Sequence, residues 1–235
     1  MIKIKIIGGL GNQMFQYAAA KSLAVKNKTQ VSADVSLFQS YNVHPLRLNK
    51  LSLNCEFDFK RKVKYRLLDM PYLGRVFSKV SPMFDLYIEK GLTYDKNFFS
   101  LGSEVALSGY FQSEKYFLGI RELLIKEFSL NENLKPYEVD MEEKILNSNS
   151  ISIHIRRGDY ISNQSANNVH GTCENDYFIK GLSYMKDHNL LSSMTTLFIF
   201  SDDIAWCQEN LVFDYKTVFV EGSSDRPEVD IHLMS

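Results

Sequence analysis

Hydrophobic and polar positions alternate in short stretches along this chain, and their order predicts strands that take turns with helices. Residues 2–7 predict a buried strand, which runs into the turn Gly8-Gly9-Leu10-Gly11. Residues 13–26 are rich in good helix formers and predict a helix with Asn12 as its N-cap. Residues 30–33 predict the next strand. A strand, a glycine turn, a helix and a second strand in this order are typical of a parallel sheet.

The C-terminal part of the chain repeats this alternation more clearly. Three strands are predicted over residues 151–155, 195–200 and 217–220, and the two helices between them over residues 174–188 and 204–210. This βαβαβ unit is half of a typical doubly wound sheet. Pro227 predicts the first position of one more helix, which stops at Ser235 without a C-cap residue. We therefore expect that this chain lacks a C-terminal piece of the sheet.

The middle of the chain is less regular and contains the predicted domain boundary. Residues 105–107 predict a strand and residues 113–128 a helix, whereas the stretch around Pro136 is polar. We therefore expect an α/β fold with an N-terminal domain over residues 1–138 and a C-terminal domain over residues 139–235.

Composition and charge narrow the class of protein. The 235 residues are 45% hydrophobic and 23% charged, which is typical of a folded globular protein. The net charge of −1 argues against a nucleic-acid binder. Three widely spaced cysteines form no disulfide or zinc pattern and favour a reducing compartment. Because no signal peptide or apolar run of about 20 residues is visible, we expect a cytoplasmic enzyme without a transmembrane segment.

The segment Ile151-Ser152-Ile153-His154-Ile155-Arg156-Arg157-Gly158-Asp159-Tyr160 carries the strongest chemical signal. Residues two apart in a strand share a face, so His154 and Arg156 are expected to point the same way, with Arg157 on the other face. A guanidinium at the carboxyl end of a parallel strand suits a phosphate. The alternatives are a solvated strand end and arginines paired with Asp159 or Asp202. Arg157-Gly158-Asp159 also spells an adhesion tripeptide.

Other candidate sites each have a structural alternative. The Gly8-Gly9-Leu10-Gly11 turn can present backbone N–H groups to an anion, or it is only a tight turn. Asn12 and Gln13 add neutral donors for a sugar or a phosphate. Ser201-Asp202-Asp203 suits a metal ion, although helix capping is the favoured interpretation.

The remaining features concern surfaces. The basic residues between Lys60 and Arg66 suit an anionic membrane surface or an acidic acceptor, but a solvated helix face is favoured. Most of the 13 tyrosines and 16 phenylalanines are expected in the core. Tyr41, Tyr110 and Phe111 are candidates to line a sugar site.

Together these motifs resemble the bacterial α1,2-fucosyltransferases of glycosyltransferase family 11. The resemblance spans the whole chain in the family's order, and its first and third motifs are long and specific. The matching stretches are residues 8–18, Gly109-Tyr110-Phe111-Gln112-Ser113, His154-Ile155-Arg156-Arg157-Gly158-Asp159-Tyr160, Ser201-Asp202-Asp203 with Trp206-Cys207, and Asp230-Ile231-His232-Leu233-Met234-Ser235.

The resemblance implies a GT-B fold, in which two Rossmann-like domains face a cleft, here with the C-terminal domain incomplete. It implies an inverting, metal-independent enzyme that moves fucose from GDP-β-L-fucose to the 2-hydroxyl of a galactoside. The acceptor would be a galactose-containing oligosaccharide or a lipid-linked glycan, with contact to the inner face of the membrane. The alternatives are another GDP-sugar-dependent transferase, such as a protein O-fucosyltransferase relative, and a non-catalytic glycan-binding or adhesion module.

The same resemblance implies roles for individual residues. Arg156 would hold the β-phosphate of GDP and stabilise it as it leaves, and His154 would lie beside the nucleotide. Asp230 would pair with the guanine edge. The turn would bring Gly9 and Gly11 to the donor and Asn12 to the reacting centre.

Two roles are not assigned by the resemblance. The acceptor-binding residues and the catalytic base are unassigned, and no cofactor or metal is expected. The family continues into a Ser-Phe-Ser-Trp-Trp-Gly segment that this chain lacks, since its single tryptophan is Trp206. We therefore expect that the chain as given is a fragment with weakened donor binding and little activity.

Overall fold

The computed structural model describes residues 1–60, 86–91, 93–157, 173, 175–222 and 226–235. The chain divides into two compact units, Met1–Glu132 and Asn133–Ser235. The division precedes a helix that starts at Pro136, whereas the expected boundary at residue 138 lies inside that helix. Proline is tolerated at the first helical position because its missing N–H would have no partner there, so this helix starts earlier than the polar sequence suggests.

The first unit contains a five-stranded sheet. Its elements are β1 (Ile2–Lys5), α1 (Leu10–Lys26), β2 (Val31–Asp34), β3 (Glu56–Asp58), β4 (Leu86–Ile88), β5 (Ala106–Ser108) and α2 (Arg121–Glu127). The strand order is β3-β2-β1-β5-β4, and every pair is parallel. The order therefore reverses between β1 and β5, which is the position where open parallel sheets bind ligands.

The core of the first unit lies around β1 and α1. Ile2, Ile4 and Ile6 are fully buried, as are Tyr17 and Leu23 on α1. β1 alternates isoleucine with lysine, and this alternation is the pattern that identified it as a strand.

A polar network anchors α1 from within this core. The Tyr17 hydroxyl donates a hydrogen bond to Glu127 Oε2 over 2.6 Å, and Lys21 Nζ lies 2.6 Å from Glu127 Oε1. Burial, followed by the Glu127 carboxylate, raises the pKa of Tyr17 far above its usual range, so the phenol stays protonated as a donor. These pairs connect α1 to the end of α2.

A cluster of aromatic rings in the first unit corrects the expectations for Phe111 and for the helix over 113–128. Phe98, Phe111 and Tyr116 are buried and pack with ring centroids 4.8–5.7 Å apart. Phe111, one of the residues expected to line a sugar site, is therefore a core residue. The helix predicted over 113–128 is instead two short 3-10 turns followed by α2, since Tyr116 is held in this cluster and Gly119 disfavours a helix.

The second unit contains a three-stranded parallel sheet in the order β6-β7-β8. Its elements are α3 (Pro136–Leu146), β6 (Asn149–Ile155), α4 (Asn175–Asp187), β7 (Thr195–Ser201), α5 (Ile204–Asn210), β8 (Lys216–Phe219) and α6 (Pro227–Met234). The predicted βαβαβ order is confirmed, as is the α/β class with parallel sheets. The central strand β7 is buried from Thr195 to Phe200 because it has neighbours on both sides.

Candidate functional site

The two arginines expected to meet an anion lie directly after β6. The parallel pairing of β6 with β7 ends at Ile155 opposite Ser201, so Arg156 and the Asp202 turn leave the same edge of the sheet. Arg156 is exposed there, on the side where α/β sheets bind their ligands.

Arg157, in contrast, is held by the protein itself. Its backbone N–H donates to Asp202 Oδ1 over 2.8 Å, and its Nε lies 3.7 Å from Asp203 Oδ2. Its guanidinium carbon stands 3.4 Å from the centroid of the Trp206 ring, a cation–π contact. Arg157 thus has a structural role at the site, whereas the alternative partner Asp159 lies outside the described residues.

The acidic pair after β7 is also used internally. The carboxylate of Asp203 caps α5 by accepting a hydrogen bond from the backbone N–H of Trp206 over 3.3 Å, which confirms the capping interpretation. The backbone N–H of Asp203 donates in turn to Ser201 Oγ over 2.9 Å. Among the described residues, no group of three or more His, Cys, Asp or Glu side chains is arranged to hold a metal ion.

His154 lies close to these charges at the end of β6. Partial burial of its ring lowers the pKa of the imidazole, the Asp202 carboxylate opposes this effect, and the Arg156 guanidinium adds to it. The imidazole is therefore neutral at physiological pH and can both donate and accept a hydrogen bond. The Arg156 guanidinium thus acts electrostatically on the His154 ring.

Asp230 lines a small pocket beyond the carboxyl end of β8. The pocket has a volume of about 110 Å³, and Tyr137, Gly222 and Val229 are among the residues around it. A Cβ atom added to Gly222 would lie 3.1 Å from both carboxylate oxygens of Asp230. The absence of a side chain at residue 222 thus keeps the Asp230 carboxylate open on the side of the β8 loop.

The Asp230 carboxylate is electrostatically strained. Burial, followed by the neighbouring carboxylates of Glu228 and Glu138, raises its pKa from the usual 3.8 to about 6. It accepts no hydrogen bond from any residue that the structure describes. A ligand that presents N–H groups to this pocket would relieve the strain.

One ion pair and one histidine–carboxylate hydrogen bond fix α6, and with it Asp230, against α3. Arg226 Nη1 donates to both carboxylate oxygens of the buried Glu138, each over 2.6 Å. His232 Nε2 lies 2.7 Å from Glu142 Oε1 one helical turn further on. The ion pair left no signal in the local sequence, because its two members are 88 residues apart.

The Gly8-Gly9 turn of the first unit connects β1 to α1. Gly8 has a φ of +88°, which side chains disfavour, and a Cβ there would lie 2.9 Å from Asn12 Nδ2. Gly9 is the N-cap of α1 and makes no side-chain cap, while Gly11 is exposed with open space around its Cα. The expectation that Asn12 caps the helix is wrong, since α1 begins at Leu10.

Asn12 instead joins two loops at the edge of the first sheet. Its Oδ1 accepts a hydrogen bond from Gln112 Nε2 over 2.6 Å, so the loop after β1 meets the loop after β5. This is the point where the strand order reverses. Asn12 and the turn glycines therefore lie where a ligand of the first unit would bind.

The next residue in this motif, Gln13, has a structural role that sequence reasoning missed. Its side-chain amide is fully buried and makes four hydrogen bonds. Nε2 donates to the carbonyls of Gly8 and Pro45, and Oε1 accepts from the N–H groups of Arg47 and Leu48. Gln13 thus holds the turn against the segment around residue 46 and is not available to a sugar. The long-range partners gave no local signal.

The predicted site residues accordingly form one group in each unit. His154, Arg156 and Asp230 lie at the carboxyl edge of the three-stranded sheet, and Gly9, Gly11 and Asn12 lie at that of the five-stranded sheet. Of the predicted basic cluster, only Lys60 lies within the described residues. No helix in the described part of the chain is long and apolar enough to cross a membrane.

The whole chain, residues 1–235, matches the model of glycosyl transferase family 11. The protein therefore belongs to this family, as the sequence motifs indicated, and is a glycosyltransferase.

Three relatives illustrate the range of that family. An α-1,2-colitosyltransferase of Escherichia coli is 34% identical, over 100% of this chain and 81% of its own. The O-antigen biosynthesis glycosyltransferase WbnK of Escherichia coli is 29% identical, over 97% of this chain and 82% of its own. The galactoside 2-alpha-L-fucosyltransferase SEC1 of Bos taurus is 24% identical over 57% of this chain and 38% of its own.

Among solved structures, the chain is similar to the NodZ α-1,6-fucosyltransferase of Bradyrhizobium in crystals soaked with GDP-fucose. The TM-score is 0.49 at 12% identity, with 99% of this chain and 82% of that chain covered. At this distance the likeness assigns no function.

Proposed function

We propose that this protein transfers L-fucose from GDP-β-L-fucose, with inversion, to the 2-hydroxyl of a galactoside and so makes an α1,2 linkage. The observation that carries the proposal is the Asp230 pocket, where an electrostatically strained carboxylate faces open space at the edge of a Rossmann-like sheet. Membership of glycosyl transferase family 11 and the similarity to the bovine galactoside 2-alpha-L-fucosyltransferase support the reaction class.

Asp230 would select the nucleotide. The edge of guanine presents two neighbouring N–H donors, which match the two oxygens of a carboxylate, whereas uracil and adenine do not offer this pair. Both carboxylate oxygens of Asp230 face the Gly222 side of the pocket. Binding of the base would replace the repulsion from Glu228 and Glu138 with two charge-assisted hydrogen bonds.

Arg156 would assist the departure of GDP. As the bond between the fucosyl carbon and the β-phosphate oxygen breaks, negative charge grows on the phosphate, and a fixed guanidinium stabilises that charge. The electron pair leaves with GDP, the acceptor hydroxyl attacks the opposite face of the sugar, and its proton passes to a base. His154, neutral at physiological pH, would flank the nucleotide without adding a competing charge.

The roles of the first unit's turn follow from its position. Gly9, Gly11 and Asn12 would approach the donor from the turn after β1, with Asn12 at the reacting centre.

We extend the proposal to the two-domain GT-B arrangement, to catalysis without a metal ion and to a cytoplasmic reaction. The last point is supported by three free cysteines, which suit a reducing compartment.

A second candidate function is favoured by the relative with 34% identity, which is a colitosyltransferase. Colitose is fucose without its 3-hydroxyl, so the two donors differ by a single polar group on the same nucleotide. A site that hydrogen-bonds this hydroxyl rejects the deoxy sugar strongly, whereas a site without such a contact accepts both.

A direct experiment compares the two donors on one acceptor. The purified chain is incubated with GDP-fucose or GDP-colitose and a β-galactoside, and the linkage in the product is determined by NMR. The proposal expects α1,2-fucosyl galactoside as the faster product. Faster colitosyl transfer supports the second candidate, and absence of GDP binding in calorimetry contradicts both.

A further inference from the structure

A surface pocket of the first unit adjoins the Gly8-Gly9 turn and has no role so far. It has a volume of about 510 Å³, within the range of small-molecule sites. Aromatic rings line much of it, from Phe38, Tyr41, His44 and Phe59.

The local fold presents these rings at the carboxyl edge of the five-stranded sheet. Asp34 at the end of β2 accepts a hydrogen bond from the Ser36 N–H over 3.0 Å, which starts a 3-10 turn over Ser36–Gln39. The turn brings Phe38 and Tyr41 together edge to face, with centroids 5.8 Å apart. Phe59 directly follows β3, so neighbouring strands β2 and β3 supply the rings.

The pocket reaches the predicted reaction centre within this unit. The His44 ring lies 6.4 Å from the Tyr41 ring by centroid distance, and a Cβ on Gly9 would come within 3.9 Å of His44 Nδ1. Tyr110, in the loop that also carries Gln112, lies close enough to contribute to the raised pKa of Tyr41, which is due first to burial. The rings therefore continue from β3 to the turn that holds Asn12.

The composition of the lining suits a hexose. Phe59 keeps 52% of its surface exposed, so its ring is accessible to a ligand. Galactose has an axial 4-hydroxyl, which leaves the C–H groups of one ring face together as an apolar patch that stacks on aromatic rings. The Tyr41 hydroxyl and the His44 imidazole add hydrogen-bonding groups at the rim.

We infer that the pocket formed by Phe38, Tyr41, His44 and Phe59 binds the galactose unit of the acceptor. This inference rests on the proposed function, because it assigns the acceptor of that reaction to a particular surface.

The test separates acceptor binding from donor binding. Tyr41→Ala is expected to raise the KM for a β-galactoside about five- to tenfold, the loss of one stacking contact, while the affinity for GDP and the hydrolysis of GDP-fucose by water stay unchanged. Tyr41→Phe keeps the stacking surface and is expected to lie close to the unsubstituted protein. Tyr184→Ala is the matched control, since Tyr184 is 62% exposed on α4 in the second unit.

Two other results with Tyr41→Ala would contradict the inference. An unchanged KM for the galactoside in Tyr41→Ala overturns the assignment of the pocket, and loss of GDP affinity in the same variant makes the pocket part of the donor site instead. Saturation-transfer NMR with methyl β-D-galactopyranoside and the unsubstituted protein gives a readout without turnover. If GDP binds but this galactoside does not, the inference fails while the donor half of the proposed function stands; if GDP does not bind, the proposed function fails.

Discussion

The carboxyl edges of the two sheets differ in their chemistry although both follow parallel strands. The edge of the three-stranded sheet carries Arg156, His154 and the strained carboxylate of Asp230. The edge of the five-stranded sheet carries amides and aromatic rings, with Asn12 and Tyr41 as examples, and carboxylates that accept hydrogen bonds from backbone N–H groups. A guanidinium beside an imidazole suits a nucleoside diphosphate, and aromatic rings beside an amide suit a sugar, so one architecture is specialised in two ways by the residues after its strands.

Removal of the charge at residue 156 is expected to have the largest effect on turnover. Arg156→Ala should lower kcat about 100- to 1,000-fold, the usual loss when a preorganised donor to a leaving group is removed. Arg156→Lys should restore part of the rate, because the charge returns without the planar pair of donors. Steady-state kinetics measure both.

Arg121 offers a matched control for this variant. It is an exposed arginine paired only with its neighbour Glu122 in the described structure, at 3.4 Å. Arg121→Ala should therefore retain full activity. Equal losses in the Arg121 and Arg156 variants would contradict a specific role for Arg156.

Two adjacent residues at the edge of the five-stranded sheet should respond in opposite ways to substitution. Gln13→Ala should lower the free energy of unfolding by about 2–4 kcal/mol, because it strands four buried hydrogen-bonding groups. Asn12→Ala should leave stability within about 0.5–1 kcal/mol but lower kcat about tenfold, given its place at the reacting centre. Denaturant unfolding and kinetics on both variants check this contrast, and a stable, inactive Gln13→Ala would reverse the assignment.

The unliganded protein should gain stability when the Asp230 carboxylate is removed. The pKa of Asp230 is raised in the folded protein to about 6 from its usual 3.8, so the native state binds the proton more tightly than the unfolded state. The stability of the folded state therefore falls as pH rises through this interval. Asp230→Asn should stabilise the unliganded protein by about 1–2 kcal/mol above pH 6, and the gain should vanish below about pH 4.

The same substitution should weaken the donor site. GDP affinity should fall in Asp230→Asn by about ten- to 100-fold, because the amide offers one acceptor where the carboxylate offers two. Thermal unfolding with and without GDP measures both effects together. A variant that is more stable and still binds GDP normally would remove Asp230 from nucleotide recognition.

The last expected effect is the response of GDP affinity to pH. Guanine N–H groups favour the ionised carboxylate, so bound GDP lowers the pKa of Asp230 below its free value of about 6. Affinity should be constant above pH 7 and should weaken about tenfold per pH unit below pH 6. Calorimetry at several pH values checks this, and Asp230→Asn should reduce the dependence to the part due to the terminal phosphate of GDP.

Local patterns predicted much of the fold because parallel strands leave a strong sequence signal. Strand β7 is a buried apolar run, β1 alternates isoleucine with lysine, and Pro227 and Asp203 mark helix starts through local backbone chemistry. The 113–128 region was mispredicted because Tyr116 packs against Phe98 from an earlier part of the chain, a contact that local spacing does not show.

By itself the sequence determined the parallel α/β class, the family and the candidate residues at both edges, since each depends on local spacing or on a contiguous motif. Tertiary structure decided what those residues do. It assigned Gln13 and Arg157 to structural contacts, buried Phe111, and strained Asp230 between Glu228 and Glu138. The reason is physical: burial and charge at a residue are set by neighbours brought from far along the chain, and these leave no mark in the local pattern.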